Sequence, residues 1–278
     1  MKKLFAILSI VAILSSCTEK IELELDSTYE RLVVEGHITT DTTAHWVRLT
    51  HSKDYYSSRP SSTISYAQVE LTDGNQTIEL LENPNKPGYY ETPANFYGET
   101  NKTYGIEVKL PEEIGGNDYF ESSCDLKPVG EIDSIQVVYN EDWEGYEVKI
   151  YAWEPPTEDF YIFQVLKNNV MVSDTIDEWW ISDDRFFNGN YTNGIMVGFL
   201  DANNPEENPE PGDIITLKMS GITKDYFNFI LQLQDQTSEY RNPLFSGPPA
   251  NVITNIEGAT GFFAAYSSSY SSTIFDEQ

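Results

Sequence analysis

The chain is poor in the residues on which most protein chemistry is built. It holds two cysteines and three histidines in 278 residues, and 17 Lys plus Arg stand against 45 Asp plus Glu, a formal net charge of −28. So few cations exclude a nucleic-acid surface, which needs clustered Lys and Arg to release counterions. The acidic excess permits capture of cations or of a basic partner, and it also keeps a surface soluble. No Gly-x-Ser-x-Gly, His-Glu-x-x-His, phosphate loop or Cys-x-x-Cys occurs, so the common hydrolase, zinc-protease, nucleotide and redox signatures are missing. Long apolar runs are missing too: Leu4–Leu14 spans eleven residues, short of the roughly 20 that cross a bilayer as a helix.

That run follows Lys2 and Lys3 and leads through Leu14-Ser15-Ser16 to Cys17. Positive segment, apolar segment and small residues form the layout of an export signal over 1–16. Leu14-Ser15-Ser16-Cys17 resembles the bacterial lipoprotein box, which implies acylation of the Cys17 thiol and a lipid anchor at the new N-terminus. Thr18 rather than aspartate follows Cys17, and by resemblance to the sorting rule of diderm bacteria this implies the outer membrane. Residues 17–27 read as a tether. With Cys17 acylated only Cys124 remains, so no intramolecular disulfide is available and Cys124 is expected to be buried.

What the chain has in quantity is apolar and aromatic mass, 40 % and 13 % of residues with 18 Tyr, enough for packed cores. The dominant period is two. "RLVVEGHIT" sets Leu32, Val34 and Ile38 against Arg31, Glu35, His37 and Thr39; "TYGIEVKL" alternates likewise; "AQVELTDGNQTIELLE" reads as a hairpin turning at Asp73-Gly74. These features predict a β-sandwich over 28–126, followed by a linker at Lys127-Pro128-Val129-Gly130. "YEVKIYAWEPP" and "FYIFQVLKN" resemble the opening of a fibronectin-type sandwich, and "GIMVGFL", "IITLKM" and "GFFAAYS" supply later strands over 131–278. Tyr226, Phe229, Ile230 and Leu233 recur at three and four, with Thr223 as a cap, which predicts one helix near 224–240. The expectation is therefore a mainly β protein of two immunoglobulin- or fibronectin-like sandwiches, the second carrying the helix.

Candidate chemistry is sparse. His37, His45 and His51 crowd into the first strands; a hairpin could bring His37 near His45, but no acidic third ligand is evident, and they read as solvated or strand-end residues. Asp201, Glu206, Glu207, Glu210 and Asp213 offer hard oxygens without a calcium-loop pattern, so that segment reads as a solvated loop. No metal ion, cofactor or catalytic residue is expected. Trp143, Trp179 and Trp180 lie among Glu, Asp and Gly; they suit a platform for sugars and equally the core of a sandwich.

The stretch "NPLFSGPPANVITNIEGATGFF" is more particular. Asn242, Pro243, Phe245, Pro248, Pro249, Asn251, Asn255, Gly258, Gly261 and Phe262 suit a fixed irregular loop entering the last strand, either as a contact surface or as an internal clamp. With the lipoprotein box and the early "LVVEGHIT", this stretch resembles the Bacteroidetes domain-of-unknown-function family four-two-four-nine across nearly all of the mature chain. The resemblance implies an outer-membrane, non-enzymatic lipoprotein whose genes often lie beside TonB-dependent receptors, and hence such a receptor as partner. It assigns no ligand and no catalytic residue. A surface protein that binds glycans through its aromatics is the alternative.

Overall fold

A computed structural model describes residues 30–53, 59–237 and 252–276. The export signal, the tether, Cys17, and Asn242, Pro243, Phe245, Pro248, Pro249 and Asn251 lie outside the described residues.

The first seven strands are β1 (Leu32–Thr39), β2 (Trp46–His51), β3 (Gln68–Thr72), β4 (Thr77–Glu82), β5 (Tyr89–Glu91), β6 (Lys102–Ile114) and β7 (Asn117–Leu126). Their alternation is the one read from the sequence: in β7 the buried residues are Phe120, Ser122, Cys124 and Leu126, every second position. The Asp73-Gly74 hairpin forms between β3 and β4, with Asp73 Oδ1 accepting the backbone N–H groups of Asn75 and Gln76 and Gly74 at φ 84°.

The second group is β8 (Ser134–Asn140), β9 (Gly145–Tyr151), β10 (Phe160–Lys167), β11 (Val170–Met171), β12 (Trp180–Asp183), β13 (Ile195–Asp201) and β14 (Ile214–Ile222), then helix α1 (Lys224–Thr237) and β15 (Thr260–Ile274). The predicted helix starts as expected, Thr223 Oγ1 accepting the Tyr226 N–H at 3.3 Å. The protein is mainly β, with one helix among the described residues. Strands β13-β9-β8 make a small sheet, and the other twelve make one large mixed sheet in the order β11-β10-β14-β15-β1-β2-β5-β4-β3-β6-β7, with β12 on β10.

The last strand links the two halves. Thr260–Tyr266 pairs in parallel with β1, and Ser267–Ile274 pairs antiparallel with β14. Strand alternation then serves three cores at once. Phe263 and Ala265 of β15 join Leu32, Val34, Phe120 and Leu126 in the first core. Phe262, Ala264 and Tyr266, on the opposite face, pack with Tyr226 and Ile230 of α1 and Phe160 and Ile162 of β10. Tyr161, Phe163 and Val165 of β10 face the small sheet in the remaining core. This explains the unbroken apolar "FYIF": both faces of β10 are covered, one by a sheet and one by the helix, the pattern of a strand buried on two sides.

Candidate functional site

The end of the second sandwich where β10 begins and β12 finishes gathers three carboxylates. Phe160 pairs with Asp183 as the last rung of that ladder. The next residue outward on each strand is an aspartate, Asp159 and Asp184, and the Asp184 N–H donates to the Asp159 carbonyl at 3.2 Å. Glu154 arrives from the exit of β9. Its N–H donates to Asn190 O, and Trp153 bridges Tyr191, so the returning 184–192 loop holds it in place. Pro155 and Pro156 end the ladder behind it by removing two donors. One carboxylate oxygen from each of Glu154, Asp159 and Asp184 lies within 4.8 Å of the others.

Two of the three carboxylates are enclosed. Glu154 is 8 % exposed and Asp184 2 %, while Asp159 is half-buried. The Tyr161 hydroxyl donates to Glu154 Oε1, and Thr157 donates to Asp159 Oδ2. Asp184 Oδ2 is buried with no hydrogen-bond partner. Burial pushes the Glu154 carboxyl up to about 7; the Tyr161 hydrogen bond opposes this, and the charges of Asp159 and Asp184 add to it. The neighbouring cations are used elsewhere, Arg185 on Asp183 and Lys224, at the start of α1, on Glu158. Carboxylate pairs also serve glycosidases, but two groups as enclosed as Glu154 and Asp184 cannot meet a sugar. A small cation is what such a set can hold. Among the described residues it is the one group of three His, Cys, Asp or Glu side chains placed to do so. Sequence reasoning missed it, because three of 45 acids are marked out only by the register of β10 against β12.

The residues singled out from the sequence are placed as follows. Trp143 tops the β8–β9 turn, 56 % exposed, its ring edge-on to Phe199 at 6.1 Å. Trp180 lies on β12 and is partly open. Trp179 packs into the helix cluster instead: its carbonyl accepts from Gln234 Nε2 at 2.9 Å, and its indole nitrogen is buried. Trp153, which the sequence did not single out, is the most open tryptophan and forms a pair with Tyr191 at 5.2 Å beside the carboxylates.

The described part of the Asn-Pro-rich motif is spent within the chain. Asn255 Nδ2 donates to Phe263 O and Ser123 O, Asn255 Oδ1 accepts the Phe263 N–H, and Ser122 donates to the Asn255 carbonyl. Phe262 is buried, and Gly258 and Gly261 take φ values of 79° and 93°. These four residues clamp the start of β15 between β7 and β1.

His51 closes β2 as a strand-end residue, partly exposed beside Glu30, whereas His37 and His45 are not solvated strand ends. His45 is buried, with Nε2 3.1 Å from Asp41 O. His37 lies between Trp46 and Tyr266, ring centroids 5.3 and 5.6 Å away. The cause is β15, which lays Tyr266 over β1 where the sequence read an open face. Lys218 reaches the same place, 3.7 Å from Asp41 and 6.0 Å from the Tyr266 ring centroid. In the acidic 201–213 loop Glu206 and Glu210 are exposed, as read, while Asp201, Glu207 and Asp213 are half-buried. These three accept from the loop's own backbone, Asp201 from Asn203, Glu207 from Asp201 and Asp213 from Glu210.

Fold and site together define a class: among the described residues, a mainly β protein of two sheets, one spanning both halves, with a single packed α-helix and a largely buried cluster of three carboxylates. The chain belongs to the family described as "Domain of unknown function (DUF4249)", which matches residues 18–272. None of the curated proteins matches it. Among solved structures it is similar to a chain titled "Cytokine receptor complex - Crystal form 1A", at 11 % identity, over 68 % of this chain and 82 % of that one, with a TM-score of 0.23. A score that low identifies no shared fold.

Proposed function

We propose that this protein is an outer-membrane lipoprotein, tethered through acylated Cys17, that serves a TonB-dependent transporter as a non-enzymatic accessory, capturing or passing on its ligand. The observation that carries the reading is the Lys2-Lys3, Leu4–Leu14, Leu14-Ser15-Ser16-Cys17 leader, with the family match beginning at the next residue, 18. The gene neighbourhood that the resemblance implies supports the partner. The test is affinity purification of tagged protein from gently solubilised outer membranes after mild cross-linking, read by mass spectrometry. A TonB-dependent receptor recovered in near-equal amount supports the reading, and recovery of the protein alone sinks it. Cys17→Ser should release the protein from the membrane fraction, and a broad hydrolase screen should stay silent.

The exposure of Trp143 and Trp180 favours a second reading, a surface glycan-binding protein. In that case Trp143→Ala and Trp180→Ala abolish retention on a glycan array while leaving the circular dichroism spectrum intact. Trp179→Ala damages folding first, because its ring is packed under α1.

A further inference from the structure

Burying carboxylates beside one another is costly unless something compensates their charge, since each anion loses hydration and repels its neighbours. Glu154, Asp159 and Asp184 converge from the exit of β9, the entry of β10 and the end of β12. Among the described residues no ion pair involves any of the three. Each of the first two has one oxygen occupied by a hydroxyl donor, from Tyr161 and Thr157. Asp184, 2 % exposed, keeps Oδ2 without any partner. A buried carboxylate oxygen with no donor, on a side chain that converges on two further carboxylates, marks a position that a bound group completes.

We propose that Glu154, Asp159 and Asp184 form a binding site for a hard divalent cation, calcium above others. The donor set decides the class. All three side chains offer oxygen, and no histidine or cysteine joins them, which disfavours zinc, copper and iron. The spacing also fits. Oxygens bound at about 2.3–2.6 Å to a common calcium lie no more than about 5 Å apart, and these lie within 4.8 Å. Magnesium demands a near-ideal octahedron and gives up water reluctantly, whereas three enclosed carboxylates that can each bind through one or two oxygens suit the larger, more tolerant ion. Three side-chain oxygens are fewer than the six to eight that calcium takes, so backbone carbonyls or water must complete the shell, which makes the site modest in affinity.

The ion would add a common anchor to three segments already joined by backbone hydrogen bonds, by Asn188 Nδ2 donating to the Thr157 carbonyl at 2.7 Å and by the Tyr161 hydroxyl on Glu154. One is the 184–192 loop, which carries Phe186, 89 % exposed, and Tyr191, the partner of Trp153. Calcium would therefore brace an exposed rim of the second sandwich that carries Trp153, Phe186 and Tyr191. This inference does not rest on the transporter reading and survives its failure.

The experiment uses the mature chain, stripped with chelator and titrated with CaCl2, then separately with MgCl2. Calorimetry gives affinity, thermal unfolding gives stabilisation, and terbium gives luminescence sensitised by Tyr161, whose hydroxyl is bonded to a ligand carboxylate. One saturable calcium site, a midpoint raised by calcium, and weaker binding of magnesium are expected. Asp184→Asn and Glu154→Gln, both near-isosteric and both relieving charge, should stay folded by circular dichroism and lose about tenfold or more in calcium affinity, since even outer-shell partners are worth that much. Asp201→Asn in the acidic loop should change nothing. Absence of saturable calcium binding overturns the site, as does affinity unchanged in both variants. Stabilisation of Asp184→Asn in a chain that ignores calcium also overturns it, and identifies a carboxyl cluster held by a shared proton. Equal affinity for magnesium overturns the choice of calcium.

Discussion

Gly261 runs so close to Val34 that a Cβ on it would lie 2.0 Å from the Val34 carbonyl oxygen. This is where β15 comes alongside β1 in parallel, and Gly261 holds φ at 93° there. Only glycine offers both the missing side chain and that backbone conformation. Gly261→Ala is expected to destabilise the protein by about 2 kcal/mol or more, through a backbone clash that no rotamer change relieves. Urea denaturation of the variant measures it; a midpoint equal to that of the unmodified protein would show that β15 does not need this contact.

Asn255 closes the same junction through its side chain. Removing it strands the Phe263 N–H and carbonyl in a part-buried place and loses a bond to the exposed Ser123 carbonyl. Each unsatisfied group costs about 1–3 kcal/mol, so Asn255→Ala should lower the urea midpoint clearly. Asn255→Asp keeps the acceptor for Phe263 N–H but turns an anion toward the Phe263 and Ser123 carbonyls, and should be as harmful at neutral pH.

His37 makes stability depend on pH. Burial, with Lys218 and His45 adding positive charge and Asp41 opposing them, lowers its pKa from 6.5 to about 4. His45 is lowered as well, by burial first. Between those limits the unfolded chain binds a proton that the folded chain refuses, so folding stability rises with pH across the window. The contribution is complete above about pH 6.5 and is lost as pH falls toward 4. His37→Gln should flatten that slope in urea midpoints taken across the window. Lys218→Met removes a repelling charge and should raise the His37 pKa, read from its ring protons by NMR.

Cys124 is buried, with its thiol pushed up in pKa chiefly by burial. Thiolate is the reactive form, so the folded protein should be inert to a disulfide reagent and react fully in denaturant. Rapid labelling of native protein would contradict the packing of β7 against β15.

Much of the architecture was legible because period-two patterning reports which face of a strand is buried. "RLVVEGHIT", "TYGIEVKL" and the Asp73-Gly74 hairpin formed as read, and so did the start of α1 at Thr223. His37 and His45 were misread because alternation says that a face is covered but not by what. His37 has the position of an outward residue on β1 and is sheltered only because Tyr266, 229 positions later, lies on it. The described part of the Asn-Pro-rich motif was recognisable as special, yet its work as a clamp depends on the distant Ser122, Ser123 and Val34.

The sequence by itself determined the mainly β class, the one α-helix among the described residues, the burial of Cys124 and the family, because these follow from local period, composition and motif. Tertiary structure alone decided that one strand serves both halves and that Glu154, Asp159 and Asp184 meet. Both depend on pairing register between segments far apart in the chain, and register is set by the packing of whole faces rather than by any short run of residues.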